Sequence, residues 1–206
     1  KKQRYPVDCF AKHFTVQNAR KARLYITACG LYEAKLNGQR VGRVILAPGI
    51  TDYRKRVQYQ SYDVTDLLQD GENTLTVQLA DGWYRGSCGA WGLRNQYGTE
   101  TKLLAQLEIT RTDGSVQTVC TDASWAWSND GPIRFADNKD GETVDAPAVP
   151  SNRGRAKCTH HQVTPTASDN VTVTEHEQFT PTLLTTPAGK TVLDFGQNMA
   201  GYVRFS

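Results

Sequence analysis

What constrains this chain most is a two-residue rhythm. In Thr74-Leu75-Thr76-Val77-Gln78-Leu79 every second side chain is apolar, and Arg23–Cys29 puts Leu24, Ile26 and Ala28 on one side. Successive side chains of a strand point to opposite faces, so this rhythm buries one face of a sheet and wets the other. Asn37-Gly38 separates the runs Leu31–Leu36 and Arg40–Leu46, and Asp113-Gly114 separates Lys102–Thr110 from Val116–Val119. Such pairs tolerate positive φ, which a tight hairpin turn demands. Further strands are expected at Phe14–Val16, Val57–Tyr62 and Ser124–Trp127, with one helical turn at Asp63–Leu68 capped by Asp63 or Thr65. Almost no helical periodicity accompanies them. The expectation is an all-β sandwich with a single short helical turn.

The chain has 206 residues, ample for a core without cross-links, and a net charge of +3 with mixed signs. That balance gives no field for nucleic acid. The short basic run Arg54-Lys55-Arg56 reads as a solvated strand edge. No apolar run reaches membrane-spanning length, so neither nucleic acid nor membrane is expected as a partner. The five cysteines (Cys9, Cys29, Cys88, Cys120, Cys158) are scattered, without paired metal-binding spacings. They argue against a disulfide framework and a zinc site, and favour a reducing, cytoplasmic location over secretion. His160-His161 reads as solvated. Lys1-Lys2-Gln3-Arg4 is followed by no apolar signal core. The chain starts on Lys1 rather than Met and stops soon after a strand pair begins, which reads as a piece of a longer protein.

One stretch breaks the rhythm. Residues 81–98 hold five glycines, two tryptophans, two tyrosines and two arginines. Glycines exclude a helix or long strand, and large aromatics are rarely left in water. Such a loop either folds its rings under itself as a plug or presents them to a ligand. Trp83 and Tyr84 read as the plug. Trp91, Arg94, Asn95 and Tyr97, with Arg85, form the candidate carbohydrate-binding set: flat rings stack on sugar C–H faces while donors fix hydroxyls. Cys88, beside Arg85, reads as a small buried thiol.

Several segments together resemble one family. They are Leu31-Tyr32-Glu33, Leu36-Asn37-Gly38, Leu46-Ala47-Pro48-Gly49, Thr51-Asp52-Tyr53-Arg54-Lys55-Arg56 and Tyr59–Leu68. Asp81-Gly82-Trp83-Tyr84-Arg85-Gly86 and Asp140-Gly141-Glu142 complete the series. It resembles the N-terminal β-sandwich region of bacterial α-L-rhamnosidases, glycoside hydrolase family 78. Leu193–Asn198 resembles the start of the β domain that follows in those enzymes. The resemblance implies a galactose-binding-like jelly roll and places the catalytic carboxylates in a downstream helical barrel. The expected map is a lead-in at 1–11, a jelly-roll domain at 12–146, a linker with edge strands at 147–190 and the start of a further β domain at 191–206.

Glycoside hydrolysis needs two carboxyl groups across the scissile bond. Asp137, Asp140, Glu142 and Asp145 form the only dense acidic cluster, and read as turn caps or partners of arginines. No catalytic residue is therefore assigned. The resemblance also raises calcium, which some such domains use to bind rhamnose. Calcium wants six or more hard oxygens. Asp137-Asn138 and Asp169-Asn170 are neighbouring pairs that match no motif, so no metal ligand or cofactor is assigned. The expected role is a non-catalytic accessory domain whose partners are the catalytic barrel and other domains of the same polypeptide. The alternative is an independent module binding rhamnose-containing glycans.

Overall fold

The computed structural model describes residues 4–148 and 154–204. The chain divides into two compact units, Lys1–Thr172 and Val173–Ser206. The first carries β1 (Asp8–Val16), β2 (Ala19–Cys29), β3 (Leu31–Leu36), β4 (Gln39–Arg40), β5 (Gln58–Asp63), β6 (Gly71–Ala80), β7 (Lys102–Arg111) and β8 (Val116–Cys120). It continues with β9 (Ala126–Ser128), β10 (Ile133–Asp137), β11 (Gly141–Val144), β12 (Gly154–Arg155) and β13 (Thr166–Ala167). A 3-10 turn spans Thr65–Leu67 and one helical turn, α1, spans Gly82–Arg85.

Two sheets form the layers, ordered β12-β9-β1-β6-β3-β4 and β13-β5-β2-β7-β8. The alternation read in the sequence sets their inner faces. Leu75, Val77 and Leu79 of β6 and Ala34 and Leu36 of β3 join Leu24 and Ile26 of β2 and Leu107 and Ile109 of β7 in one core. Each of the leucine, isoleucine and valine side chains contributes about 1.5–3 kcal/mol when fully buried. Trp125, 1% exposed, fills the same core and donates its indole N–H to the Cys120 carbonyl at 2.9 Å. The architecture is an all-β sandwich.

The hairpins fall at the turn pairs. Asn37 (φ 52) and Gly38 (φ 80) join β3 to β4. The Asn37 side chain also donates to the Leu67 carbonyl at 2.9 Å and accepts the Thr74 N–H at 2.9 Å, locking the hairpin to β6 and the 3-10 turn. The residue before that turn, Val64, makes no side-chain cap bond to it. Asp63 instead accepts the Thr65 N–H at 3.1 Å and hydroxyl at 2.6 Å, bonds that hold its carboxyl below the usual carboxylate range.

Two local readings are corrected. The expected return strand Arg40–Leu46 ends at Arg40, because Gly42 (φ 70) turns the chain out of the sheet beside the Tyr62 ring. The lead-in already belongs to a strand: β1 starts at Asp8, where it pairs with Leu79. The acidic stretch forms the β10–β11 hairpin, its turn capped by Asp137 accepting the Lys139 and Asp140 N–H groups at 2.9 and 3.0 Å.

The second unit holds one hairpin, β14 (Thr182–Thr185) with β15 (Thr191–Asp194), in register Leu183 to Leu193. Tyr202–Arg204 form no strand there, and the reading at Lys1–Gln3 lies outside the described residues.

Candidate functional site

The aromatic loop leaves the sandwich where β6 ends. Asp81 and Gly82 (φ 53) swing the chain into α1, which places Tyr84 and Arg85 inward. Tyr84 is 4% exposed and meets the buried Tyr53 edge-on, ring centroids 5.3 Å apart. Tyr97 closes on both, 5.2 Å from Tyr53 and stacked 6.3 Å from Tyr84. Cys29, Val57 and the half-buried Trp83 complete this second apolar cluster. Burial pushes the Cys29 thiol up to about 11, and the Tyr53 and Tyr84 hydroxyls rise for the same reason. Trp83 and Tyr84 thus form the plug the sequence suggests.

The two arginines sit in a buried ion network. Arg85 donates from Nε to Asp81 at 2.7 Å and from Nη2 to Asp8 at 3.4 Å, and lies over the Tyr5 ring. Arg94 pairs with Asp81 and reaches Asp137 at 2.9 Å and Asp140 at 3.5 Å. Asp137 also accepts the Ser87 N–H at 2.8 Å, and Asp140 the Ser87 hydroxyl at 2.5 Å. Asp8 further takes the Trp127 indole N–H at 3.1 Å and the Thr101 hydroxyl at 2.5 Å. Desolvation pushes the Asp81 carboxyl up while the Arg85 and Arg94 guanidiniums pull it back. Charges this deep are tolerable only when paired and hydrogen-bonded.

The site set therefore divides. Arg85 and Arg94 turn their donors inward. Tyr97 packs into the plug. Asn95, at φ 59, gives its N–H to the Arg85 carbonyl at 3.0 Å. Trp91 stands apart, 87% exposed, at the apex of a small hairpin. Cys88 and Leu93 exchange bonds of 2.9 and 3.1 Å beneath it, and Lys139 donates to the Gly89 carbonyl at 2.6 Å. The tip is pinned at its base yet shows a bare indole.

Asp137 caps its turn and pairs with Arg94, and Asp140 also reaches Arg94, in line with the reading of these acids as turn caps or arginine partners. Both oxygens of Asp137 accept two donors each, which leaves it poorly suited to bind calcium or move a proton. Asp8, central to the network, lay in the segment read as a lead-in. Its partner Arg85 is 77 residues away, and no local signal connects them.

Fold and loop together define a β-sandwich with a plugged, ion-paired aromatic loop. The family described as the α-L-rhamnosidase N-terminal domain matches residues 17–184, and this chain belongs to it. It is 43% identical over 199 residues to an α-L-rhamnosidase of Streptomyces avermitilis, covering 89% of this chain and 19% of that protein. A Formosa agariphila α-L-rhamnosidase is 44% identical over 126 residues, covering 61% of this chain and 14% of its own length. The crystal structure of the Streptomyces avermitilis enzyme complexed with L-rhamnose superposes with a TM-score of 0.82 at 39% identity, covering 95% of this chain and 20% of that one. Native α-L-rhamnosidase from Aspergillus terreus gives 0.76 at 33% identity, covering 97% and 25%. The chain thus spans about a fifth of the length of its first relatives.

Proposed function

We propose that this chain is a non-catalytic accessory β-sandwich of an α-L-rhamnosidase, supporting the catalytic barrel that hydrolyses terminal α-L-rhamnosides. The observation that carries the reading is the match to the N-terminal domain of far longer rhamnosidases. The chemistry of the loop agrees with it. A glycosidase needs one carboxyl free to donate a proton and a second, about 5–10 Å away, free to act on carbon or water. Asp81, Asp137 and Asp140 are instead engaged by Arg85, Arg94 and Ser87. The test is release of nitrophenol from p-nitrophenyl α-L-rhamnopyranoside by the purified 206-residue chain. None above buffer is expected, and turnover by the chain alone refutes the reading.

The bare Trp91 indole favours a second reading, an independent module for rhamnose-containing glycans. Titration calorimetry with millimolar L-rhamnose, with and without calcium, separates the two. Flat heats in both conditions remove the module. The exposed free thiols Cys120 and Cys158 support a reducing compartment for either.

A further inference from the structure

We propose that the outer face of the first sheet carries a cleft for a neutral saccharide. The choice of a saccharide rests on the reading of this chain as part of an α-L-rhamnosidase.

The cleft follows from strand register. Leu75, Val77 and Leu79 of β6 enter the core, so Thr74, Thr76 and Gln78 face the other way. Pairing sets neighbours beside them on that same face. Gln78 pairs with Cys9 of β1 and Glu33 of β3, and Thr76 pairs with Ala11 and Lys35. Thr74 pairs with His13, while Ser128 and Ala126 of β9 lie beside Cys9 and Ala11. Together they border a cavity of about 460 Å³, within the ~300–1,000 Å³ of small-molecule clefts. Phe10, Val77 and Trp127 also border it, but their side chains alternate to the core side, where the Trp127 indole bonds Asp8. The cleft shares no residue with the aromatic loop.

Its two halves differ, and the difference selects the ligand. Over β1 and β9 the floor is short: Cys9, Ala11 and Ala126 are half-buried and carry little beyond Cβ. Such a floor lets a C–H surface lie close against it and leave water. Over β6 and β3 the wall is polar. The Thr76 hydroxyl donates to the Lys35 carbonyl at 3.4 Å, which keeps its own lone pairs for a donor. His13 Nδ1 and the Thr74 hydroxyl share a hydrogen bond at 2.8 Å, which fixes the imidazole at the end of the cleft. The Gln78 amide can both give and accept.

Charge narrows the class further. Glu33 supplies the lining's carboxylate and Lys35 its ammonium, 3.7 Å apart, and Arg40 holds Glu33 from outside the lining at 3.5 Å. The fixed charges of the lining cancel, so no field selects a phosphate or an acidic chain. The matching ligand shows C–H groups on one side, gives and accepts hydrogen bonds on the other, and carries no charge. A neutral pyranose has that distribution.

The test titrates the isotope-labelled 206-residue chain with L-rhamnose and with rutinose, a neutral rhamnosyl-glucose disaccharide, at millimolar concentration. The methyl resonances of Ala11, Thr76 and Ala126 are expected to shift and saturate with at least one of the two. The double change Thr76→Val with Gln78→Ala removes a hydroxyl and an amide. It is expected to weaken binding about tenfold or more, with a melting temperature within about 2 °C of the wild type. Ala126→Met fills the floor without removing a polar group and is expected to weaken binding by a similar factor. Gln106→Ala, exposed on β7 of the other sheet, is the control and keeps the wild-type affinity. Resonances that stay still with both sugars overturn the proposal. So do shifts confined to the Trp91 indole, which move the sugar to the loop, and variants that all bind as the control does. Trigalacturonate bound more tightly than either neutral sugar overturns the neutral class. Nitrophenol release tests the accessory reading by itself, so the two readings fail separately.

Discussion

Replacing Arg94 by Met asks whether this side chain is a strut or a sugar ligand. The substitution keeps an unbranched apolar stem and removes the guanidinium, which lies over the Phe135 ring and joins Asp81, Asp137 and Asp140. Taking one partner from a buried ion pair costs about 3–5 kcal/mol, because the other charge stays desolvated. Two features temper that cost. Asp81 keeps Arg85 at 2.7 Å, and Asp137 keeps the N–H groups of Ser87, Lys139 and Asp140. A loss of about 3 kcal/mol is expected, which for a unit of this size lowers the melting temperature by about 6–12 °C. Arg94→Lys, which keeps charge but not the planar fork, should fall between. Adding Asp137→Asn should cost less in the Arg94→Met background than in the wild type, since the two side chains share one interaction. Calorimetric melts of the wild type and these four variants measure this. A drop of less than about 2 °C for Arg94→Met refutes the strut. An unchanged melt together with lost L-rhamnose binding makes Arg94 a ligand residue.

Three further outcomes follow from the same geometry. Trp91→Ala should change folding stability by less than about 0.5 kcal/mol, because the indole is 87% exposed; a cost of about 3–5 kcal/mol would return Trp91 to the plug. Gly86→Ala should destabilise by roughly 1–3 kcal/mol in a denaturant titration, because its methyl group meets the Asp137 carboxylate and the Gly82 carbonyl; an unchanged midpoint refutes the tight fit. Stability should also fall in alkali. The Cys29 thiol is raised from 9.0 to about 11, so the unfolded chain ionises first. Its contribution is complete below about pH 9 and is lost between pH 9 and 11, by about 3 kcal/mol. Cys29→Ala should flatten that part of a stability-versus-pH curve, and an equal slope in both proteins contradicts the assignment.

The legible part of this protein was local. Alternation at Leu24–Ala28 and Leu75–Leu79 gave the inner faces of both sheets, because strand side chains change sides at every residue whatever surrounds them. Asn37-Gly38 and Asp113-Gly114 located their turns for a similar reason: Asn37, Gly38 and Gly114 take up positive φ, which these residue types tolerate whatever surrounds them. Only the tertiary structure decided the rest. Arg40–Leu46 reads as a strand, yet the backbone leaves the sheet at Gly42, where a side chain would strike Tyr62. Arg85 and Arg94 read as donors for a sugar, and folding turned them toward Asp8, Asp81, Asp137 and Asp140, from three separate parts of the chain. Whether a guanidinium faces a ligand or a buried carboxylate is set by desolvation and by partners distant in sequence, and neither is written in the spacing around it.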